Sequence, residues 1–563
     1  MKPLARHWRS LVATALGTAA FAEALRRLLG AETGADERMH LALLAGALAW
    51  LLVTLSGRRG FGLFASAGLI GALWLASTLK RQYLHQPLLG PDLRYFLSSS
   101  TADVIAHYPG MWPKVLGAVV GGFVVAAWLW WIERPAGWRG RRLAHAAWSL
   151  LAAFLVAAAW PGASLGAKVG TGTWAFIEHA TANPATTFLD SISRMRVSLP
   201  PHSATAASRF DWGEASAAQA EHRPDIVVVL EESTLDPRQW AACAAPQCSL
   251  PLFDGDASTR ARGDLLVHTW GGATWTSEFA FLAALPHPLF GPAGIYAPYN
   301  LAPRVRYSLP RQLKALGYRS IAFYPMEGGF VRAAEAYADY GFDEFHDAAE
   351  LGLGWESSDG DLVARFQERY PQLAGDPGQP LFIMLLTMRQ HGPHDLPLDA
   401  LPAPFDRPLL PGEDERTNRN VGHYLHRLHE SAAALERLRA FLFASGRPTL
   451  LAHFGDHRPS FDGLERGLAS SARVREPALA RQLTYYRIDS TPAGERETVP
   501  DRLDLAFLAG LIIDIAGLPK DAFFEANTRL RERCNGRFMD CPQPEALESW
   551  MAHAFGRLDA LGP

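Results

Sequence analysis

The chain has 563 residues, 48% of them hydrophobic, and a formal net charge of −3. That length exceeds what one hydrophobic core supports, so at least two folding units are expected. Near-neutral charge without a long basic run argues against a nucleic-acid partner. Apolar residues concentrate in the first third, where five stretches approach the roughly 20 residues that a membrane-crossing helix needs. They run over about 11–29, 40–55, 61–79, 112–132 and 143–160. The first is interrupted by Glu23, Arg26 and Arg27 and follows Lys2, Arg6 and Arg9, features shared with a signal peptide. Four further stretches make a cleaved leader alone insufficient.

In a five-span topology Lys2, Arg6 and Arg9, then Arg58 and Arg59, then Arg134, Arg139, Arg141 and Arg142 fall on one side. Basic short loops stay cytoplasmic, which puts everything after Trp160 outside. The outer loop over 80–94 carries Lys80, Arg81 and Tyr83, with Tyr95 just beyond; such residues hold lipid phosphates or anchor at the interface. Residues 1–161 are therefore expected to be a transmembrane domain, 162–223 a juxtamembrane linker and 224–563 a soluble domain. The four cysteines form two local pairs, Cys243 with Cys248 and Cys534 with Cys541, spaced too loosely for a zinc site. Two short disulfides in an oxidising compartment fit them; free thiols in a cytoplasmic protein are the alternative.

After Pro224 the β-branched run 225–230 reads as a strand buried on both faces, and similar runs lie at 320–324, 381–386 and 449–453. Helical patterns at 308–316 and 421–444 alternate with them, which implies a doubly wound α/β sheet with its chemistry at the strand ends. Four polar clusters sit at such places. Glu231-Glu232 follows the first strand and suits a cation, although Ser233 and Thr234 there also suit a helix cap. Thr274, Thr276 and Glu278 follow Gly271-Gly272, so a hydroxyl stands at a helix N-terminus where an anion is favoured; a capping box is the plainer reading. His391 and His394 flank Gly392-Pro393, and either can shuttle a proton. Asp456-His457 after the fourth strand is a metal-ligand pair or a structural hydrogen-bonding pair.

Taken in order, these clusters resemble the alkaline-phosphatase/sulfatase superfamily. More narrowly, with the stretch Pro87–Asp92, they are similar to its lipoteichoic acid synthase and periplasmic phosphoglycerol transferase branch, phosphoethanolamine transferases being cousins. The resemblance implies one divalent cation, Mn²⁺ or Zn²⁺, held by Glu232, Thr274, Asp456 and His457, with Thr274 as nucleophile. Thr274 is preferred to Thr276 because Glu278 and Phe279 follow it at the family's offset. It further implies His391 as the substrate-binding and proton-donating histidine, and Phe330, Arg332 and Tyr324 around the head-group phosphate. Phe330 stands where an aromatic tryptophan is usual, and Tyr324 replaces a polar partner. No Cys-x-Pro-x-Arg stretch exists to supply the sulfatase nucleophile.

The implied activity is transfer of phosphoglycerol from phosphatidylglycerol to a periplasmic glycan through a phosphothreonine, at the bacterial inner membrane. Phosphoethanolamine transfer to lipid A or a glycan, simple phosphoester hydrolysis, and a catalytically silent membrane sensor or scaffold are the alternatives.

Overall fold

The computed structural model describes residues 4–84, 87–95, 112–135, 142–159, 182–194, 197, 199–200, 203–216, 222–376 and 378–562. The chain divides into two units, Met1–Met195 and Arg196–Pro563.

The first unit contains the helices α1 (Leu4–Gly30), α2 (Ala35–Ser56) and α3 (Arg59–Leu84), followed by helices at Trp112–Ile132, Arg142–Ala159 and Pro184–Arg194. All five expected apolar stretches lie in helices over their described residues, the fifth to Ala159. Three of them, at Ala35–Ser56, Arg59–Arg81 and Val115–Ile132, combine the length and apolarity needed to cross a membrane. In α1 the charged residues Glu23, Arg26 and Arg27 interrupt the apolar stretch, and the fifth stretch lies in the helix Arg142–Ala159. Helices α1 and α3 approach through glycines. A Cβ on Gly17 would lie 2.2 Å from the Gly60 carbonyl oxygen, and one on Gly60 would lie 2.2 Å from that of Ala13. Small residues of this kind let membrane helices pack backbone to backbone.

At the start of α3 the Glu133 carboxylate accepts from the backbone N–H groups of Gly60 (3.0 Å) and Phe61 (2.9 Å), a favourable place for an anion. The turn at 87–92 is built around Asp92, which accepts from Leu89 N (2.6 Å) and pairs with the buried Lys80 at 2.6 Å. Lys80 is thus engaged within the protein. Tyr83 lies outside the side chains described.

The second unit is built on a sheet of eight strands. These are β1 (Asp225–Glu231), β2 (Thr259–Leu266), β3 (Arg319–Phe323), β4 (Glu344–His346), β5 (Leu381–Leu386), β6 (Thr449–Gly455), β7 (Leu483–Thr491) and β8 (Arg502–Asp504). Their order is β4-β3-β5-β1-β6-β7-β2-β8, and β7 alone runs antiparallel to its neighbours β6 and β2. Side chains of β1 alternate between two cores: Ile226, Val228 and Leu230 enter one, Val227 and Val229 the other. Burial on both faces is why β1 reads as an unbroken apolar run. The long helix Glu415–Ala444 and the helix Asp359–Leu373 belong to the second of these cores. All four cysteines are paired, Cys243 with Cys248 and Cys534 with Cys541, at Cα separations of 5.8 and 4.8 Å.

The N-terminal end of β1 is fixed by an ion pair. Asp225, 1% exposed, takes Arg447 Nε at 2.6 Å and Nη2 at 2.8 Å, together with Leu381 N at 2.9 Å. Removing one partner leaves a buried charge uncompensated. Arg447→Ala is therefore expected to destabilise the soluble unit by about 3 kcal/mol, read as a lowered unfolding midpoint of the full chain in detergent; an unchanged midpoint contradicts this.

Candidate active site

Strand register brings the first and last clusters together. In the parallel pair β1–β6, Glu231 stands opposite Gly455, so Glu232 and Asp456-His457 leave the sheet side by side. The approach is close: a Cβ on Gly455 would lie 1.9 Å from the Thr234 carbonyl oxygen, which accounts for glycine before Asp456. Beside them the helix Thr274–Leu282 starts from Gly271 and Gly272 and from Ala273 at φ 68°, a left-handed residue that offers no side-chain cap. Ser233, next to Glu232, is also left-handed at φ 50°. Strain in non-glycine residues persists where surrounding structure over-determines it, commonly at functional sites. Ser277 Oγ, one turn into the helix, donates to the Asp456 carbonyl oxygen at 2.7 Å and so ties the helix to the Asp456 loop.

Glu232, Asp456 and His457 are buried and present ligand atoms within 4.8 Å of one another. His457 Nε2 lies 3.5 Å from Glu232 Oε1, 3.3 Å from Asp456 Oδ2 and 3.4 Å from Thr274 Oγ1. Thr274 Oγ1 donates to Glu232 Oε2 at 3.0 Å. Asp456 Oδ1 accepts from Ser233 N (2.7 Å) and His457 N (2.6 Å), while its Oδ2 is buried with no hydrogen-bond partner. His457 Nδ1 lies 3.0 Å from the Arg458 carbonyl oxygen, an acceptor only, which puts the ring proton on Nδ1 and turns the lone pair of Nε2 toward the carboxylates.

The electrostatics match. Burial and then the charge of Glu232 push the Asp456 carboxyl well above its ordinary range. Burial acts on Glu232 in the same sense, but the positive charge that His457 and His391 carry when protonated, with hydrogen bonds from Ser233 and Thr274, outweighs it and holds Glu232 low; the Nε2 lone pair of His457 is the form that would serve a cation. A partnerless carboxylate oxygen and an imidazole lone pair facing a second carboxylate fit a divalent cation of the borderline kind, Zn²⁺ or Mn²⁺. Among the described residues no other group of three such side chains converges this way.

The remaining sequence candidates are placed less uniformly. His391 is half-buried, with Nδ1 2.8 Å from the Gly392 carbonyl oxygen and its ring against Trp355 at 4.7 Å, and its charge acts on Glu232. His394 is instead enclosed by His423, Tyr424 and Phe461, and burial holds its pKa well below the ordinary value. Of the two, His391 is the one near the carboxylates. Arg332 donates to the Pro298 carbonyl oxygen at 2.8 Å and pairs with Asp339 at 3.3 Å, on a left-handed backbone (φ 63°) shared with Val331 (φ 44°). Phe330 meets the indole of Trp275, the neighbour of Thr274, at 6.4 Å. Tyr324 is buried between Tyr337 and Phe345, inside the core rather than on an open wall. Thr276 is buried, its hydroxyl donating to the Ala273 carbonyl oxygen at 2.8 Å, which leaves Thr274 as the hydroxyl facing Glu232 and His457.

Two residues near the site were not assigned from sequence. Glu278, one turn after Thr274, is buried and pushed up to about 8 by burial and then by Asp456 and Glu232, with one carboxyl oxygen partnerless. Its helical offset from Thr274 was visible, but its burial was not. Trp275 had no distinguishing signal.

A sequence profile of the Sulfatase family matches residues 224–483. A Haemophilus influenzae protein described as uncharacterized is 30% identical over 351 residues, which covers 60% of this chain and 62% of that relative's own length. The structure of the Streptococcus pyogenes phosphoglycerol transferase GacH in complex with sn-glycerol-1-phosphate is similar at a TM-score of 0.51 and 16% identity, covering 64% of this chain and 95% of that one. The integral membrane lipooligosaccharide phosphoethanolamine transferase A of Neisseria meningitidis is similar over 87% of this chain and 89% of that one, at a TM-score of 0.46 and 16% identity. Residues 224–483, the segment that brings Glu232, Thr274, Asp456 and His457 together, are the ones that match the Sulfatase family.

Proposed function

We propose that this protein is a membrane-anchored, cation-dependent phosphotransferase that moves phosphoglycerol from phosphatidylglycerol to a periplasmic glycan through a phosphothreonine at Thr274. The observation that carries the reading is the convergence of Glu232, Asp456 and His457 on the hydroxyl of Thr274. A divalent cation at this place supplies a lowered hydroxyl pKa and neutralises developing phosphoryl charge.

The chain's own groups account for the rest. Thr274 Oγ1 donates its proton toward Glu232 Oε2, so its lone pairs are free for in-line attack on phosphorus. The phosphorus–oxygen bond to diacylglycerol breaks, and His391 gives that oxygen a proton. The acceptor hydroxyl then attacks the phosphothreonine ester and returns Thr274 to its starting state. Two displacements retain configuration at phosphorus. Three apolar helices in the same chain support anchoring at the lipid surface, where the donor's effective concentration is high.

Phosphoethanolamine transfer is the second reading. Its specific support is the aromatic pair Trp275–Phe330 beside Thr274, since aromatic faces attract ammonium groups.

Asp456→Asn is expected to reduce the bound Mn²⁺ or Zn²⁺ per chain to a small fraction of the wild-type value, measured by elemental analysis after desalting. Full occupancy in that variant contradicts the cation assignment. Wild-type protein in vesicles of phosphatidylglycerol is expected to acquire a glycerol-phosphate mass adduct that maps to Thr274, and Thr274→Ala to acquire none and to lose at least about 1,000-fold in turnover. An adduct formed only in phosphatidylethanolamine vesicles selects the second reading. Unchanged turnover in Thr274→Ala removes the nucleophile from this position.

A further inference from the structure

We propose that Glu465 is the positioning residue that locks the nucleophile's loop onto the cation-binding loop. The proposal rests on reading Thr274 as the nucleophile. Glu465 is 3% exposed and sits on the short helical turn Phe461–Gly467, which belongs to none of the four motifs. Its carboxylate collects four donors. Arg458 Nε and Nη2 both lie 2.7 Å from Oε1, and Trp240 Nε1 donates to the same oxygen at 3.1 Å. Trp270 Nε1 donates to Oε2 at 2.9 Å.

The identity of the donors gives the carboxylate its meaning. Trp270 directly precedes Gly271-Gly272, which lead into Thr274, and Arg458 directly follows His457. One side chain therefore holds the flanks of both loops. The backbones meet as well: the Arg458 carbonyl oxygen accepts from Gly271 N at 3.1 Å and lies 3.0 Å from His457 Nδ1. Gly271 is left-handed (φ +68°), and a Cβ there would lie 2.7 Å from Ser460 Cβ, so the loops have no slack between them. Arg458 is fixed from behind, its Nη1 donating to Gln239 Oε1 at 2.6 Å and to the carbonyl oxygens of Ala480 (3.0 Å) and Leu483 (3.2 Å).

The chemistry of this spot requires a carboxylate. An indole N–H and a guanidinium are donors only, and a buried guanidinium needs a counter-charge. Glutamine keeps the shape but turns an amide N–H₂ against a donor and removes the charge. The indole of Trp270 would then be released, and Gly271 to Thr274 would move with it. A shift of about 1 Å at a reacting group costs on the order of 100-fold in rate. Glu465 touches neither substrate nor cation site, so its effect falls on turnover rather than on donor binding.

The test compares wild type, Glu465→Gln, Trp270→Phe and the double variant in Mn²⁺-loaded full-length protein, with phosphatidylglycerol vesicles as probe. Trp270→Phe removes the N–H while keeping a ring, and it carries the test where Glu465→Gln fails to fold. Each single variant is expected to lose at least about tenfold in kcat with donor KM within about twofold, and the double to be no worse than the weaker single, because the two act as one unit. Arg447→Ala, at the opposite end of β1, is the control: it lowers the unfolding midpoint and leaves kcat of the folded protein unchanged. Wild-type kcat in folded Trp270→Phe, or losses that multiply in the double variant, overturn the proposal. So does an equal fall in kcat in Arg447→Ala. Turnover by wild type without any adduct at Thr274 would instead sink the nucleophile reading, and the kcat comparison would still decide the loop lock.

Discussion

Two carboxylates and an imidazole, all within 4.8 Å of one another and nearly free of solvent, sit at the carboxyl ends of adjacent parallel strands β1 and β6. Like charges held this close in a dry setting repel, and here Asp456 is driven toward its protonated form while Glu232 stays ionised. Such an arrangement is stabilised when a cation is the common partner. The partnerless Asp456 Oδ2 and the lone pair of His457 Nε2 are aimed where that cation would lie. Every other feature of the site can be read as serving this constraint.

The fold supplies it through backbone geometry. Parallel register sets Glu232 against Asp456, and a glycine at 455 permits the approach. The left-handed residues Ser233 and Ala273 turn the chain so that Glu232 and Thr274 face each other. Left-handed backbone at non-glycine residues costs of order 1–3 kcal/mol each. That cost is borne by a doubly buried sheet with a core on each face. The Trp270–Glu465–Arg458 lock then prevents the strained loops from relaxing apart.

Much of this was legible in the sequence because the informative residues are short-range. The strands β1, β3, β5 and β6 announced themselves as apolar runs, since both faces of each are buried. Strand β2 did not: Arg260, Arg262 and Asp264 break its pattern because one face is open to solvent. Strand β7 was hidden for a different reason, with Arg487 and Asp489 buried as an ion pair inside it. Motif residues Glu232, Thr274, Asp456 and His457 were found through their order. Glu465, whose partners Trp240 and Trp270 lie far away along the chain, left no local trace. Hydropathy suggested five spans, and among the described residues three helices have the length and apolarity to cross a membrane. His394 and His391 looked alike beside Gly392-Pro393, and only packing separates them.

The central claim is that one cation is shared by Glu232, Asp456, His457 and Thr274. X-ray diffraction from Mn²⁺- or Zn²⁺-loaded crystals, with anomalous data collected at the metal's edge, tests it most directly. The account predicts a single strong peak with one imidazole nitrogen and oxygens of Glu232, Asp456 and Thr274 at about 2.0–2.2 Å. A peak ligated by other side chains, or none at this place in fully loaded protein, contradicts it.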